Sequence, residues 1–444
     1  ENPIFPLLLS MSLPMVISMA VNSLYNIVDS YFVAKISEDA MTALSLVFPI
    51  QNFINAVAIG FGVGINAMIA QYLGAGRRDK ADEALTQGMV LAVIHGIVMM
   101  ILCIIGIPYF LRLFTTDVNV IALGVRYATI VFSFSVILSV NLTFEKMNQA
   151  IGNMKITMIS LLIGCVLNII LDPIFIFGMH MGVRGAALAT VISQALSCIW
   201  VLSFLSGKKT LLRIKKENIM PGLQLVPPCV ALGASMFVMQ ASESVISVCF
   251  NSSLLKYGGD IAVGAMTILT SVMQFAMLPL QGIAQGAQPI TSYNYGANRA
   301  DRIRKTVLWV LMLCVFFTAV MFIISRVAPQ YFVRIFTDNA EYRELSVWGI
   351  KVFTLMVVPL SLQYVFVDAL TALGMTKLSL GMSVVRKVFY FSSTCFLPAL
   401  FTAKDAFYAE PVADILAASV TSVVFFFVYR KYLKGSGRLG EIKL

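Results

Sequence analysis

The chain carries very little charge. Only 12% of its 444 residues are Asp, Glu, Lys or Arg, while 59% are apolar and the mean hydropathy is +0.87. This balance excludes a soluble domain, because a soluble domain needs a polar surface. Apolar runs of about 20 residues, each long enough to cross a bilayer, recur along the chain. The sequence therefore predicts an all-α integral membrane protein.

Disulfide, metal and enzyme patterns are also missing. The seven cysteines fall inside predicted helices and form no C-x-x-C pair, and His95 and His180 lack spaced ligand partners. Two membrane aspartates would suit an intramembrane protease, but neither Asp29 nor Asp172 lies in a Y-D or G-x-G-D sequence. We therefore expect no cofactor and no enzyme activity.

A segment of the chain repeats at a fixed distance. A-G-R-R-D at 75–79 returns as A-N-R-A-D at 297–301, an offset of 297 − 75 = 222 positions. The same offset pairs Gly60, Gly64, Gly74, Phe53, Phe144 and Lys155 with Gly282, Gly286, Gly296, Phe275, Phe366 and Lys377. The sequence is therefore that of a duplicated unit, as in transporters built from two similar helical bundles.

The apolar runs predict twelve transmembrane helices. We place them at about 5–34, 43–73, 84–111, 119–150, 156–178, 185–206, 225–256, 261–296, 303–325, 344–373, 378–402 and 408–432. Six crossings return each half to its starting side, so the repeats should be parallel. The expected domains are an N-terminal six-helix bundle at 1–206, a basic linker at 207–222, a C-terminal six-helix bundle at 223–432 and a tail at 433–444.

The basic residues predict the orientation. If the N-terminus is cytoplasmic, most of the 32 Lys and Arg fall on cytoplasmic loops and the tail, so both termini should be cytoplasmic. Lys146, Arg386 and Lys387 are among the residues assigned to the cytoplasmic side. The side chains of Arg386 and Lys387 are expected to extend from the end of a helix to the membrane surface. The net charge of +10 is dispersed over six short segments, which argues against nucleic-acid binding. The linker is expected either to lie at the inner headgroups or to be a solvated loop.

Acidic residues inside the membrane are the strongest functional signal. We place only Asp29, Asp172 and Glu243 well within helices, and an ionisable group there usually faces a wet cavity. The polar residues expected around the two aspartates are Asn22, Tyr25, Asn26, Gln149, Asn168 and Thr190. Such a cluster predicts a site for H+ or Na+. The alternative is that these groups only hold helices together by hydrogen bonds. Glu243 predicts either a second ion or drug-cation site or a pore-facing residue without a coupling role.

Soft and aromatic side chains are candidates for substrate contacts. Methionine adapts its shape and aromatic faces attract cations, so such a lining would suit amphipathic cations. Together with Asn26 and Glu243, the candidates are Tyr25, Gln51, Asn55, Phe144, Gln149, Met154, Met273, Gln274, Phe275, Met277 and Gln281. The alternative is that most of them fill packing positions. Pro14, fifteen residues before Asp29 on the first helix, predicts a hinge or a permanent kink.

Three strings resemble a known family. The string L-N-I-I-L-D-P-I-F-I-F-G-M-H-M-G-V-R-G-A-A-L-A-T, with L-Y-N-I-V-D and Q-Y-L-G-A-G-R-R-D, resembles the multidrug and toxic compound extrusion (MATE) family, in its DinF-like, MepA-like branch. The resemblance implies a V-shaped pair of bundles around a central cavity and multidrug efflux by alternating access. It also implies H+ or Na+ antiport in a prokaryotic cytoplasmic membrane, and we expect a monomer.

The resemblance also implies roles for single residues. The family's ion network matches Asp29, Asn168, Asp172 and Thr190, a polar position matches Asn22, and the helix-1 proline matches Pro14. Chains of the similar NorM-like branch place cation-site carboxylates on helices 7 and 10, whereas Asp368 here lies near a predicted helix end.

Two other classes remain possible alternatives at this stage. A lipid-linked precursor flippase of the related exporter superfamily would share the duplicated bundle. A passive channel would not need a pair of titrating carboxylates.

Overall fold

The computed structural model describes residues 3–205, 212–219, 226–336, 340–400 and 403–434. The all-helical prediction is confirmed, since these residues contain helices and no strand. The α-helices are α1 (Ile4–Ala34), α2 (Glu38–Gly74), α3 (Arg78–Arg112), α4 (Val118–Ser133), α5 (Ser135–Ala150), α6 (Met154–Pro173), α7 (Val183–Leu205), α8 (Val226–Gly296), α9 (Ala300–Val327), α10 (Pro329–Phe336), α11 (Ala340–Phe353), α12 (Val357–Ala372), α13 (Thr376–Leu400) and α14 (Ala409–Val428). Four short turns of 3₁₀ or π helix complete them: Ile174–Gly178, Lys216–Asn218, Ala403–Tyr408 and Tyr429–Leu433.

Several helices are long and apolar enough to cross a membrane. Within the described ranges there are seven, and nine if each of two bent helix pairs forms one span. The predicted multi-pass membrane protein is therefore confirmed.

One predicted break between helices is absent. The sequence predicts separate helices at 225–256 and 261–296, but the backbone continues as the single helix α8. Gly258 and Gly259 keep their N–H donors, so they lower helix propensity without removing a hydrogen bond, as a proline would.

The duplication predicted from the sequence recurs in the turns between helices. Gly76 has φ 72° and its repeat partner Asn298 has φ 57°. Gly152 and Gly374 form a second such pair, with φ 84° and 75°. These left-handed conformations favour Gly or Asn, because other side chains are strained there. The repeated sequence thus codes for repeated chain reversals.

The bends repeat as well. Helices α4 and α5 meet at 50°, and α11 and α12, which occupy the same positions of the second repeat, meet at 49°. The predicted helices at 119–150 and 344–373 are therefore each a bent pair.

The contacts divide the chain into two compact units. One, the N-terminal unit, contains residues 17–237, and the other, the C-terminal unit, contains residues 1–16 and 238–444. Helix α1 thus contributes to both units and divides between Val16 and Ile17, two residues beyond Pro14.

The first half of α1 packs closely on α8 within the C-terminal unit. A Cβ atom on Gly282 would lie 2.6 Å from the Val16 side chain, and one on Gly286 would lie 2.6 Å from the Ser12 Cα. The Ser12 hydroxyl also donates to the Ile283 carbonyl at 3.4 Å. The two glycines therefore set how closely α1 and α8 approach.

The described part of the linker is held on α3. The Arg213 backbone N–H donates to Asp82 Oδ1 at 2.9 Å, and Lys215 Nζ lies 3.1 Å from Asp82 Oδ2. The Lys215 backbone N–H donates to the Thr86 hydroxyl at 3.2 Å, and the Leu212 side chain is fully buried. These contacts fix residues 212–215 against the N-terminal unit.

Candidate ion-coupling site

The structure brings together the two aspartates that the sequence singles out. The carboxyl groups of Asp29 on α1 and Asp172 at the end of α6 lie within hydrogen-bonding reach of each other. Asp172 is fully buried and Asp29 is half-buried. Because a carboxylate only accepts hydrogen bonds, the contact becomes a hydrogen bond when one of the two carboxyls carries a proton.

Asn168 and Thr190 hold the Asp172 carboxyl in place. With its amide nitrogen toward the aspartate, Asn168 donates to Asp172 Oδ2 at 2.7 Å. The amide oxygen then accepts from the Thr190 backbone N–H at 3.1 Å and lies 3.2 Å from the Thr190 hydroxyl. Asp172 Oδ1 is buried and receives no hydrogen bond from a donor among the described residues, so it remains available to a proton or cation.

Hydroxyl and amide groups surround the carboxyl pair. Tyr25 on α1 and Tyr127 on α4 both lie within reach of the Thr190 side chain, and Tyr127 also reaches Gln51 on α2. Tyr127 was missed from the sequence, although a tyrosine inside an apolar span usually has a hydrogen-bond partner. Five helices of the N-terminal unit thus contribute to one polar site.

The turn between α6 and α7 brings Asp172 and Thr190 close together. Pro173 follows Asp172 and lacks an N–H donor, and the chain changes there from α helix to the π turn Ile174–Gly178. Gly185 lets α7 approach this turn, because a Cβ there would lie 2.7 Å from the Phe175 carbonyl. Thr190 follows five residues later on α7.

Oxygen atoms dominate the site. Carboxylate, amide and hydroxyl oxygens suit a proton or a hard cation such as Na+. Within the described ranges, no three His, Cys, Asp or Glu side chains are grouped as metal ligands.

The other predicted residues lie in different environments. Asn22 is half-buried and Asn26 exposed on α1, and the described hydrogen bonds to Asp172 come from Asn168 rather than from them. Asn55, Met277 and Gln281 are half-buried, and Gln274 and Phe275 are exposed. Glu243 lies in α8, outside the described side chains.

Four predicted substrate contacts are packed inside their units. Phe144, Gln149 and Met154 are each 1% exposed, and Met273 is 7% exposed. Phe144 and Met273 belong to hydrophobic cores, and Gln149 accepts a hydrogen bond from Lys146 Nζ at 3.1 Å. The prediction that these four line a substrate surface is wrong for this conformation. Aromatic, methionine and amide side chains are also used inside packed helical bundles, and the sequence does not distinguish the two positions.

The prediction of only three intramembrane acids is also wrong. Glu145 on α5 is buried, and its carboxylate accepts from the Ser160 hydroxyl at 3.3 Å. Lys146, expected on a cytoplasmic loop, is 6% exposed within α5. Their position near the helix end hid them, because helix ends are the least certain part of a sequence-based assignment.

Arg386 likewise does not snorkel. It is 8% exposed and pairs with Glu410 at 2.6 Å and with Asp414 at 2.9 Å, both on α14. A sequence pattern spaced 24 residues apart gives no signal of this pairing, which depends on α13 packing against α14.

The fold and the site define a class of protein. A duplicated, multi-pass helical membrane protein with buried carboxyls among its helices has the architecture of a secondary transporter. A family model described as MatE matches residues 14–174 and 235–393. The chain therefore belongs to the MatE family, as the resemblance predicted.

Curated relatives match along nearly the whole chain. The multidrug export protein MepA of Staphylococcus haemolyticus (strain JCSC1435) is 25% identical over 433 residues, which cover 97% of this chain and 94% of that protein. The MepA protein of Staphylococcus aureus (strain MSSA476) is 23% identical over 428 residues, covering 96% and 94%.

Solved structures share the fold. An outward-facing multidrug resistance MATE family transporter of the MOP superfamily matches with a TM-score of 0.91 at 23% identity, covering 96% of each chain. A MOP superfamily transporter from Pyrococcus furiosus Vc1 (DSM3638), whose reversed pocket polarity suggests a different function, matches with a TM-score of 0.92 at 22% identity, covering 98% of each chain.

Proposed function

We propose that the protein is a secondary active multidrug efflux transporter that exchanges H+ or Na+ for amphipathic, mostly cationic drugs by alternating access. The observation that carries the proposal is the buried contact of Asp29 with Asp172, together with Asn168 and Thr190. Membership of the MatE family and likeness to MepA multidrug export proteins support the same function.

The coupling ion binds at the carboxyl pair. A proton or Na+ neutralises charge that is otherwise costly to bury, so ion binding changes how α1 packs against α6 and α7. If the ion-loaded state disfavours a bound cationic drug, the two ligands exchange by reciprocal coupling. Asn22 and Asn26 lie on the same helix as Asp29, where they remain candidates for steps in which α1 has moved.

The drug is bound by soft and amide side chains rather than by a dense set of fixed donors. Tyr25, Gln51, Asn55, Gln274, Met277 and Gln281 retain exposed surface in this conformation. Glu243 remains a candidate for a second cation contact. No organic cofactor or nucleic acid is needed for this function, and the protein acts as a monomer among membrane lipids.

The orientation follows from the basic loops. Both termini are cytoplasmic, and the protein exports drug across a prokaryotic cytoplasmic membrane.

One proton exchanged for one monovalent cation moves no net charge, so only the pH gradient, worth about 1.4 kcal/mol per unit, would drive it. Two ions per drug would add the membrane potential, worth roughly 2.3 kcal/mol per charge at 100 mV. The site has two carboxyl groups, Asp29 and Asp172, that can carry two ions, so the proposed exchange is electrogenic.

The test is ethidium-like dye efflux from proteoliposomes with separately imposed pH, sodium and potential gradients. Dye should move against its concentration gradient with an ion gradient and faster with a favourable potential. Dye movement that only dissipates its own gradient would identify a passive channel. Binding of a lipid-linked precursor without dye transport would favour the flippase.

A further inference from the structure

The C-terminal unit contains a buried charge cluster that the proposed transport mechanism does not use. Arg386 on α13 donates from Nη2 to Glu410 Oε1 at 2.6 Å and to Asp414 Oδ1 at 2.9 Å, and its Nε lies 3.2 Å from the same Asp414 oxygen. The three side chains are buried, at 8%, 7% and 0% exposure. One guanidinium therefore serves two carboxylates inside the membrane-spanning part.

One oxygen atom in this cluster has no donor among the residues that the structure describes. Asp414 Oδ2 is fully buried and accepts no hydrogen bond from the described residues. Leaving a buried charged acceptor without a donor is costly, by about 1–3 kcal/mol or more. A proton on Oδ2 lowers that cost, because a neutral buried hydroxyl is less costly than an unpaired negative charge.

The surrounding charges favour the same result. The groups that face Asp414 or line the cavity beside Arg386 are Glu410, Arg386, Lys387, Asp368 and Tyr364. Asp405, in the turn before α14, is half-buried and has its own partner. On α11, Glu341, Glu344 and Lys351 are exposed and Arg343 is half-buried. Glu410 and Asp414 are buried with Arg386 and Lys387, and the half-buried Asp368 beside them is a third acid. One added proton makes this set of five groups neutral.

The arrangement suits a proton better than a metal cation. The guanidinium already occupies the space between the Glu410 and Asp414 oxygens, where a sodium ion would need to bind both carboxylates. A proton needs only the single free oxygen. A proton on Oδ2 leaves the contacts with Arg386 intact, because Arg386 Nε and Nη2 both donate to the other oxygen, Asp414 Oδ1.

Two small cavities lie beside the cluster. One of about 10 Å³ is lined by Arg386, Lys387, Gln363, Tyr364, Ser383 and Asp368. The polar residues that line the other, of about 20 Å³, are Asp368 of α12 and Gln288 and Thr291 of α8. Each has room for about one water molecule. Asp368 borders both, so polar groups continue from the cluster to the last two turns of α8.

The cluster is not a copy of the site in the N-terminal unit. Helices α13 and α14 are the repeat counterparts of α6 and α7, which hold Asn168, Asp172 and Thr190. At the 222-residue offset, however, Arg386 corresponds to Gly164 and Asp414 to Ile192. The charged residues on α13 and α14 therefore lie at positions that do not correspond to those of the polar site on α6 and α7.

We propose that Asp414 binds a proton on Oδ2, as part of an Arg386–Glu410–Asp414 site in the C-terminal unit. The binding itself can be tested without drug transport. Its use as a second coupling proton rests on the proposed function.

Infrared difference spectra of the purified protein between acid and alkaline pH test the binding directly. The protonated-carboxyl band of the wild-type difference spectrum should contain a component that Asp414→Asn removes and Asp29→Asn retains. Glu410→Gln removes a neighbouring negative charge, so Asp414 should lose its proton at a lower pH, by about one unit or a tenfold change in proton affinity. A difference spectrum that Asp414→Asn leaves unchanged, or a component that Glu410→Gln alone abolishes, would overturn the assignment.

A second readout keeps the test valid if Asp414→Asn folds poorly. Trp348 packs against Phe407 and Tyr408 just before α14, with ring centroids 5.9 Å and 6.1 Å apart. In a Trp200→Phe, Trp309→Phe background, its fluorescence should change with pH, and Glu410→Gln should shift the midpoint downward. A midpoint that Glu410→Gln leaves unchanged would contradict the proposal.

Transport separates this proposal from the function itself. In proteoliposomes, Asp414→Asn should still export dye but move one proton fewer per dye molecule. If wild-type protein exports no dye, the proposed function fails while the spectroscopic result stands.

Discussion

At the residue scale, the candidate site depends on a hydrogen bond that needs a shared proton. Asp29 and Asp172 face each other, Asn168 fixes one carboxyl oxygen of Asp172, and Thr190 fixes Asn168. Two charged carboxylates at this separation would repel in a medium of low dielectric constant. On the proposed function, ion binding at the site therefore changes the contact between α1 and α6.

Tyr127→Phe tests the hydroxyl that completes the site. The change keeps the buried ring, which is 5% exposed, but removes the hydroxyl that reaches Gln51 and Thr190. We expect a stability loss of about 1 kcal/mol and ion-driven dye efflux lowered by up to about tenfold. Tyr31→Phe, at a side chain 54% exposed, is the matched control. Equal efflux in both variants would remove Tyr127 from the site.

Polar residues inside apolar spans gave the clearest single-residue signal in the sequence. Asp29, Asn168, Asp172 and Thr190 were visible because charge and amide groups are costly in an apolar span. Arg386 and Lys146 were misplaced because a basic residue near a predicted helix end fits a loop equally well. Only tertiary packing decides between the two positions.

At the element scale, glycine spacing controls how α1 meets α8. Gly282 and Gly286 lie one turn apart and face Val16 and Ser12 at distances that exclude a side chain. The first half of α1 is thereby fixed in the C-terminal unit, whereas Asp29 lies in the N-terminal unit.

Gly286→Ala should loosen this contact. The added Cβ would lie 2.6 Å from the Ser12 backbone, which cannot move as easily as a flexible side chain, so we expect a loss of about 1–3 kcal/mol. Thermal unfolding of the purified protein measures it. Gly381→Ala, where a Cβ would meet nothing within 4 Å, is the control. A melting temperature equal to that of the control would mean that the contact is not tight.

Pro14→Ala tests whether α1 bends during transport. Pro14 lies inside a continuous helix and two residues before the division between the units. Restoring a backbone donor should keep the fold and membrane insertion but lower dye efflux, because the helix bends less easily. Normal transport at normal expression would instead indicate a permanent kink.

Asp82→Ala should release the linker from α3. The change leaves the Arg213 N–H without its acceptor, so trypsin should cleave at 213–216 faster than in the wild type. Hydrogen bonds to Asp82 and then to Asp79 raise the pKa of Lys215, so the ion pair persists at neutral pH and weakens only as pH rises through that raised value. Asp79→Ala, which removes only an exposed partner, should have a smaller effect. Equal cleavage rates in the wild type and Asp82→Ala would contradict this docking.

At the scale of the whole molecule, the two sequence repeats share their turns and bends but differ in their buried charged residues. The turns at Gly76 and Asn298 and the bends of 50° and 49° repeat, so the sequence offset predicted real structural repeats. The helical break at 257–260 was mispredicted because glycine lowers helix propensity without forbidding a helix. Buried charges do not follow the repeat, since Asp172 corresponds to Thr394 and Asp414 to Ile192.

Ion-driven dye efflux by Asp29→Asn and Asp172→Asn, beside wild type in matched proteoliposomes, tests the central claim most directly. Each amide resembles a permanently neutral carboxyl, so both variants should fold and insert but lose coupled efflux, and Asp172→Asn should also weaken ion binding at Asp29. Full gradient-driven efflux by either variant would show that its aspartate is structural and would contradict the mechanism.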